Sequence, residues 1–234
     1  MRWEHGLLAI GLALLAVGHG MGLFWAPSEA MMGDVGRILY AHVPTAWVAL
    51  LTLTFAFIAA IGALWTGRYS WDAAVEAFSE TGVVLTALLL FQGSMWAKPT
   101  WGVYWDWDPR LTTSAILLVL FLGVLVIRKV VDSPERRLTV TSIAAIVAYV
   151  DVPIVYFGVK WWKSLHQPQS SPETVAQTMV LPLRIAAFAM LFIAIAVVVM
   201  RWRTIYAQLR AEVQAPDLPE LPPELQLSEG QAHA

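Results

Sequence analysis

Cysteine is absent from this 234-residue chain. That excludes a disulfide framework, a thiolate metal site and a Cys-x-x-Cys-His attachment sequence. Charge is also scarce: 14% of the residues are Asp, Glu, Lys or Arg, against about 25% in an average soluble domain. The deficit points to lipid as the solvent. The charges nearly cancel, at a net −2, so nothing indicates nucleic acid or a polybasic surface as partner. The chain has no Gly-x-x-x-x-Gly-Lys-Ser/Thr phosphate loop and so does not hydrolyse ATP itself. Nothing resembles a nucleophile beside its base. These absences leave a membrane-embedded binding and transfer component rather than an enzyme.

What the chain has is apolar length. A bilayer core of ~30 Å takes about 20 helical residues. Six stretches qualify or come close: 6–25, 46–65, 81–97, 111–127, 138–159 and 179–200. The first is long enough to span and reads as a retained helix rather than a cleaved leader. Unpaired backbone groups are costly in lipid, so the expected fold is all-α, a polytopic bundle of six transmembrane helices over 1–204. Residues 205–234 are acidic and proline-rich, and read as a disordered cytoplasmic tail. Orientation follows Lys and Arg. Arg2, Arg68, Arg128, Lys129, Arg136, Arg137, Arg201, Arg203 and Arg210 outnumber Arg37, Lys98, Arg110, Lys160 and Lys163 on the opposite side. Both termini are therefore expected in the cytoplasm.

The twelve tryptophans are unevenly placed. Trp3, Trp65, Trp71 and Trp202 fall near the inner side. Trp25, Trp47, Trp96, Trp101, Trp105, Trp107, Trp161 and Trp162 fall near the outer side. An interfacial aromatic belt would populate both faces about equally. The outer loop at 97–114 is densest, with Trp101, Tyr104, Trp105 and Trp107 offering flat apolar faces with polar edges. Asp108 precedes Pro109 and could cap the next helix. Arg110 adds a rigid cation suited to carboxylates. His42 lies at the outer start of the second span, and His166 lies in the last outer loop. A neutral imidazole is a natural axial ligand for heme iron. His19, inside the first span, reads as a packed residue. Asp151 and Arg184 fall at similar depths in adjacent spans, so an ion pair between them is expected.

These residues resemble a known family. WGVYWDWDPRLTTS (101–114) is similar to the tryptophan-rich WWD motif of heme-handling membrane proteins. With RILYAHVPTAW (37–47) and VPIVYFGVKWWKSLHQP (152–168), it resembles the heme exporter protein C family of cytochrome c maturation. The resemblance implies non-covalent heme b with His42 and His166 as axial, metal-binding ligands. It implies Arg37 and Arg110 near the propionates, and a shelf of Trp101, Tyr104, Trp105 and Trp107, with Asp108, Trp47, Trp161 and Trp162 nearby. It also implies a multi-pass protein of the bacterial inner membrane with its heme site facing the periplasm. The implied partners are an ATP-binding-cassette pair (CcmA and CcmB), a small single-span subunit (CcmD) and a periplasmic heme chaperone (CcmE). The alternative is a heme-attachment (synthase) module of the related WWD group.

Overall fold

A computed structural model describes residues 2–166 and 175–214. Helix α1 (Trp3–Gly20) continues into a π-helical turn, Met21–Trp25. A 3-10 turn, Asp34–Ile38, leads into α2 (Leu39–Thr66), which is followed by α3 (Tyr69–Trp101) and α4 (Pro109–Val130). Then come α5 (Pro134–Tyr149), α6 (Asp151–Trp161) and α7 (Gln177–Gln214). Six helical stretches are long and apolar enough to cross a membrane, α5 and α6 counting together as Pro134–Trp161. The helix caps follow from local sequence. Gly67 ends α2 in the left-handed region at φ 62°, where only glycine sits without strain. Asp108 and Ser133 accept N-cap hydrogen bonds, and each is followed by a proline at the first helical position.

The third span starts at Tyr69 rather than at 81. Asp72, Glu76 and Glu80 make that stretch read as a loop, yet they recur every four residues and so share one helix face. Each finds an arginine on another helix. Arg128 of α4 binds Asp72 with both terminal nitrogens, at 2.6 and 2.8 Å, and also pairs with Glu76. Arg201 of α7 binds Glu80 at 2.6 and 2.8 Å. Two further pairs, Arg203–Glu4 and Arg137–Glu212 (2.6 Å), tie α7 to α1 and α5. All four clusters lie at the end of the bundle that carries Trp3 and Gln214, here called the terminal end. Helix α7 itself continues ten residues beyond 204, through Gln214. Residues 205–214 of the expected tail thus belong to α7, and the remainder, 215–234, lies outside the described residues.

Helix α1 packs along α7 through small residues. A β-carbon at Gly18 would sit 2.9 Å from the backbone nitrogen of Ala186, and one at Gly11 only 2.8 Å from Cγ1 of Ile193. Close backbone approach through small residues is how helices associate in lipid. Gly18→Leu should therefore separate α1 from α7 and cost about 1–3 kcal/mol, the usual penalty of overpacking. The measurement is unfolding in detergent, with Gly6→Leu as control, because nothing lies within 4 Å of a β-carbon at Gly6.

The expected pair between Asp151 and Arg184 does not form. Helices α5 and α6 lie against α2 and α4, whereas α7 lies against α1, α2 and α3. Consecutive spans are therefore not packed neighbours at this depth. Asp151 is buried with carboxylate oxygen Oδ2 lacking a hydrogen bond, and it has no ion pair among the described residues. Arg184 is exposed on α7. The break between α5 and α6 falls at Val150, one turn before Pro153, whose ring nitrogen has no proton for the preceding turn.

Candidate functional site

At the end of the bundle opposite the termini, α2, α3, α4 and α6 enclose a cavity of about 720 Å³. Its floor is apolar, made by Leu50, Leu89, Leu90 and Val155. Its mouth carries His42, Trp47, Trp96, Trp101, Arg110 and His166. A volume of this order with few convergent polar groups is typical of a small-molecule site.

His42 enters from the first turns of α2 and is buried. Trp96 of α3 meets its ring edge-on, with centroids 5.5 Å apart. Gly93, one turn earlier on α3, leaves room for the imidazole: a β-carbon there would lie 3.2 Å from Cε1 of His42. Nδ1 of His42 is buried without a hydrogen-bond partner.

His166 is positioned by Asp108. One carboxylate oxygen of Asp108 accepts from the backbone N–H of Arg110 at 2.9 Å, capping α4. The other accepts from Ser164 Oγ and from the Leu165 N–H, both at 2.7 Å. Ser164 Oγ in turn accepts from the His166 N–H at 3.0 Å. One carboxylate thus fixes both the start of α4 and the segment that carries His166. Burial alone would raise the pKa of Asp108. The hydrogen bonds from Ser164 and from the Arg110 and Leu165 amides outweigh it and hold the carboxyl below its usual range.

A depressed carboxylate pKa contributes stability that is present above the unfolded value, roughly 4, and lost as pH falls through the lower folded value. The anchoring of Ser164 and Leu165 should therefore be intact at neutral and mildly acidic pH and weaken only in stronger acid. Asp108→Ala should lack it throughout, at a cost of about 1–3 kcal/mol for the groups left unpaired. Amide hydrogen exchange at Leu165 and His166 across a pH series measures this. Equal protection in both proteins at pH 7 would show that the anchor is unimportant.

The ring centroids of His42 and His166 lie 6.3 Å apart, with an interplanar angle of 29°. Two coaxial imidazoles, each about 2 Å from one metal and roughly 1 Å from ring nitrogen to ring centre, would have centroids about 6 Å apart. Among the described residues no three His, Cys, Asp or Glu side chains gather as a site for a bare ion. Two facing imidazoles suit a metal whose remaining ligands arrive with it. Trp101 stands beside His166, with centroids 6.4 Å apart at 71°. Nη1 of Arg110 lies 3.4 Å from Nδ1 of His166.

The structure thus brings together His42, His166, Trp47, Trp101 and Arg110 around one cavity, with Asp108 behind them. The other expected residues lie elsewhere. Arg37 donates to Asp34 at 2.9 Å and to the carbonyls of Gly22 and Ala26 at 2.7 and 2.8 Å. It satisfies acceptors at the end of the first span, which a helix terminus leaves without internal donors. It lines a separate cavity of about 360 Å³ with His19 and Tyr40, not the one holding His42. Tyr104, Trp105 and Trp107 are exposed on the loop after α3 and do not line the cavity. Lys98 sits over the Tyr104 ring at 5.3 Å. Trp161 and Trp162 close α6 as an exposed edge-to-face pair. Sequence reasoning missed Gly93, the lining role of Trp96, and Ser164. Leu89, Gly93, Trp96 and Thr100 recur at helical spacing and line the cavity, and all but Thr100 fall within the expected third span, so the pattern could have been found there.

A family model described as heme exporter protein C matches residues 1–216. The chain is 34% identical over 201 residues to heme exporter protein C of Bradyrhizobium diazoefficiens, covering 83% of this chain and 73% of that protein. It is 35% identical over 208 residues to heme exporter protein C of Escherichia coli K12, covering 87% and 84%. A putative cytochrome c biosynthesis ccmC-like mitochondrial protein of Marchantia polymorpha is 33% identical over 169 residues, 72% of each chain.

Proposed function

Because the chain belongs to the heme exporter protein C family, we propose that its cavity holds heme b non-covalently between His42 and His166. The observation that carries this reading is the 6.3 Å separation of the two imidazoles across the cavity mouth. The apolar floor takes the macrocycle's hydrophobic edge, since burying apolar surface is the main source of affinity. Trp47, Trp96 and Trp101 supply flat contact around it. Arg110 is the cavity's cation for a propionate. Among the described residues Arg110 is the one arginine that lines the cavity, which would leave the second propionate to the open mouth.

In this reading heme is cargo. The protein takes it up in the bacterial inner membrane, with the cavity end facing the periplasm and both termini in the cytoplasm, the orientation favoured by the Lys and Arg distribution. It passes heme to the periplasmic chaperone CcmE during c-type cytochrome maturation, working with CcmA, CcmB and CcmD. The exposed aromatic residues of the 102–108 loop and of the α6 end lie beside the mouth, where a receiving protein would approach.

Hemin titration of the purified chain in detergent is the direct test. The expected spectrum is that of six-coordinate, low-spin iron at one equivalent. The spectrum of free or aggregated hemin would refute the reading. Incubation with the apo-chaperone, and separately with a Cys-x-x-Cys-His apocytochrome, distinguishes delivery from heme attachment: only the chaperone should become loaded.

A further inference from the structure

A histidine side chain does not choose its own ring plane. The torsion that turns the ring is broad and only weakly staggered, so the plane is set by what packs against it. Two residues of α3 do this for His42. Trp96 meets the imidazole edge-on, at an interplanar angle of 80°. Gly93, one turn earlier, faces the Cε1 edge. A β-carbon there would stand 3.2 Å from Cε1 and 4.0 Å from Nδ1, where ordinary contact begins at 3.4 Å. The ring as it stands is crowded by any side chain at 93. Glycine inside a helix is costly in backbone entropy, and Gly93 lies well inside the 33 residues of α3. Its place there needs a packing reason, and the His42 ring supplies one.

The plane so fixed is close to that of the opposing ring. His42 and His166 are inclined by 29°, with centroids 6.3 Å apart. His166 is met by Trp101 at 71°. Each imidazole thus has a tryptophan standing across it, and the two imidazoles face each other nearly parallel. The angle matters to a macrocycle held between them. Crossed imidazole planes press on it along perpendicular lines and ruffle it, whereas near-parallel planes leave it flat. Distortion of the macrocycle is one of the levers by which a protein tunes a heme.

We infer that Gly93 and Trp96 are positioning residues that hold the His42 ring nearly parallel to that of His166, so that the site takes a flat macrocycle. This rests on the heme reading of the cavity and adds the shape of ligand that the two rings admit. Neither residue ligates. A flat macrocycle can slide along its own plane between near-parallel rings, into and out of the mouth.

The test is electron paramagnetic resonance of the ferric hemin complex of the full chain in detergent. Ferric iron between near-parallel imidazoles gives a resolved rhombic low-spin signal. Crossed planes give a single, strongly anisotropic feature at large g. The native protein should show the first. Gly93→Ala should stay low-spin and shift toward the second, because turning the ring swings Cε1 away from the added methyl. Alanine is also the better helix former. Trp96→Leu, which removes the edge-on contact, should broaden the rhombic signal, and it serves if the alanine variant fails to fold. Gly123→Ala makes the same change on α4, where nothing lies within 4 Å of a β-carbon, and should match the native protein. Residues that merely shaped the cavity would alter heme retention without moving the g-values. A large-g signal from the native protein would overturn the parallel arrangement and leave the heme reading standing. A native signal in Gly93→Ala would overturn the role of position 93. So would a high-spin Gly93→Ala complex, in which the methyl had displaced the ring rather than turned it. A native complex with no low-spin signal would remove the heme reading and this inference with it.

Discussion

Alanine at both His42 and His166 should abolish the low-spin heme spectrum and weaken heme retention at least about a hundred-fold, near 3 kcal/mol. The two rings are the groups positioned to share one iron, 6.3 Å apart between centroids. Each single substitution should leave a five-coordinate, high-spin complex through the remaining histidine. Retention should not vanish in the single variants, because the apolar floor and the Trp47, Trp96 and Trp101 rings act independently of ligation. His19→Ala is the control. That residue lines the separate cavity with Arg37 and Tyr40, so its loss should leave the spectrum unchanged. A double variant that retains the native bands would assign the iron to other ligands.

Arg128→Gln is the substitution with the largest expected effect on stability, about 3–5 kcal/mol. Arg128 is buried, and Asp72, which it grips with two nitrogens, is fully buried. Removing the guanidinium strands one carboxylate inside the bundle and leaves Glu76 without its pair. An uncompensated buried charge is what makes half a salt bridge so costly. Asp72→Asn combined with Arg128→Gln should lose clearly less than the two singles added together. The measurement is unfolding in mixed detergent micelles, and simple additivity would mean that the pair does not act as a unit.

Much of this was legible in the sequence because it rests on local rules. Hydropathic length gave six spans, and the Asp108-Pro109 pair marked the start of α4. His42, His166, Trp47, Trp101 and Arg110 were singled out and do meet at one cavity. What failed depended on partners far away in the chain. The Asp72, Glu76 and Glu80 stretch looked too polar to lie in a spanning helix, because its arginines are fifty residues or more distant. Arg37 was expected near a propionate, because nothing local reveals that the carbonyls of Gly22 and Ala26 would claim it. Asp151 and Arg184 matched in depth along their helices, but depth says nothing about which helices are neighbours. The exposed rings of Tyr104, Trp105 and Trp107 were expected to form the shelf, with Trp161 and Trp162 nearby. All are exposed and none lines the cavity, since a short loop and a helix end cannot turn every ring inward.

The ion pairs joining α1, α3, α4, α5 and α7 all sit at the terminal end, and the cavity sits at the other. Helix α7, with 38 residues, is about 57 Å long at ~1.5 Å per residue, and so reaches well past a core of ~30 Å. The bundle is therefore built like a pair of tweezers, with its charged weld at the handle and the cavity at the tips. A small tilt of any helix about the welded end is multiplied along its length. By that lever the largest excursions would fall at the tips, which carry His42 and His166, and the smallest at the handle. A ligand held between the two imidazoles would thus sit at the end of the bundle away from the charged weld.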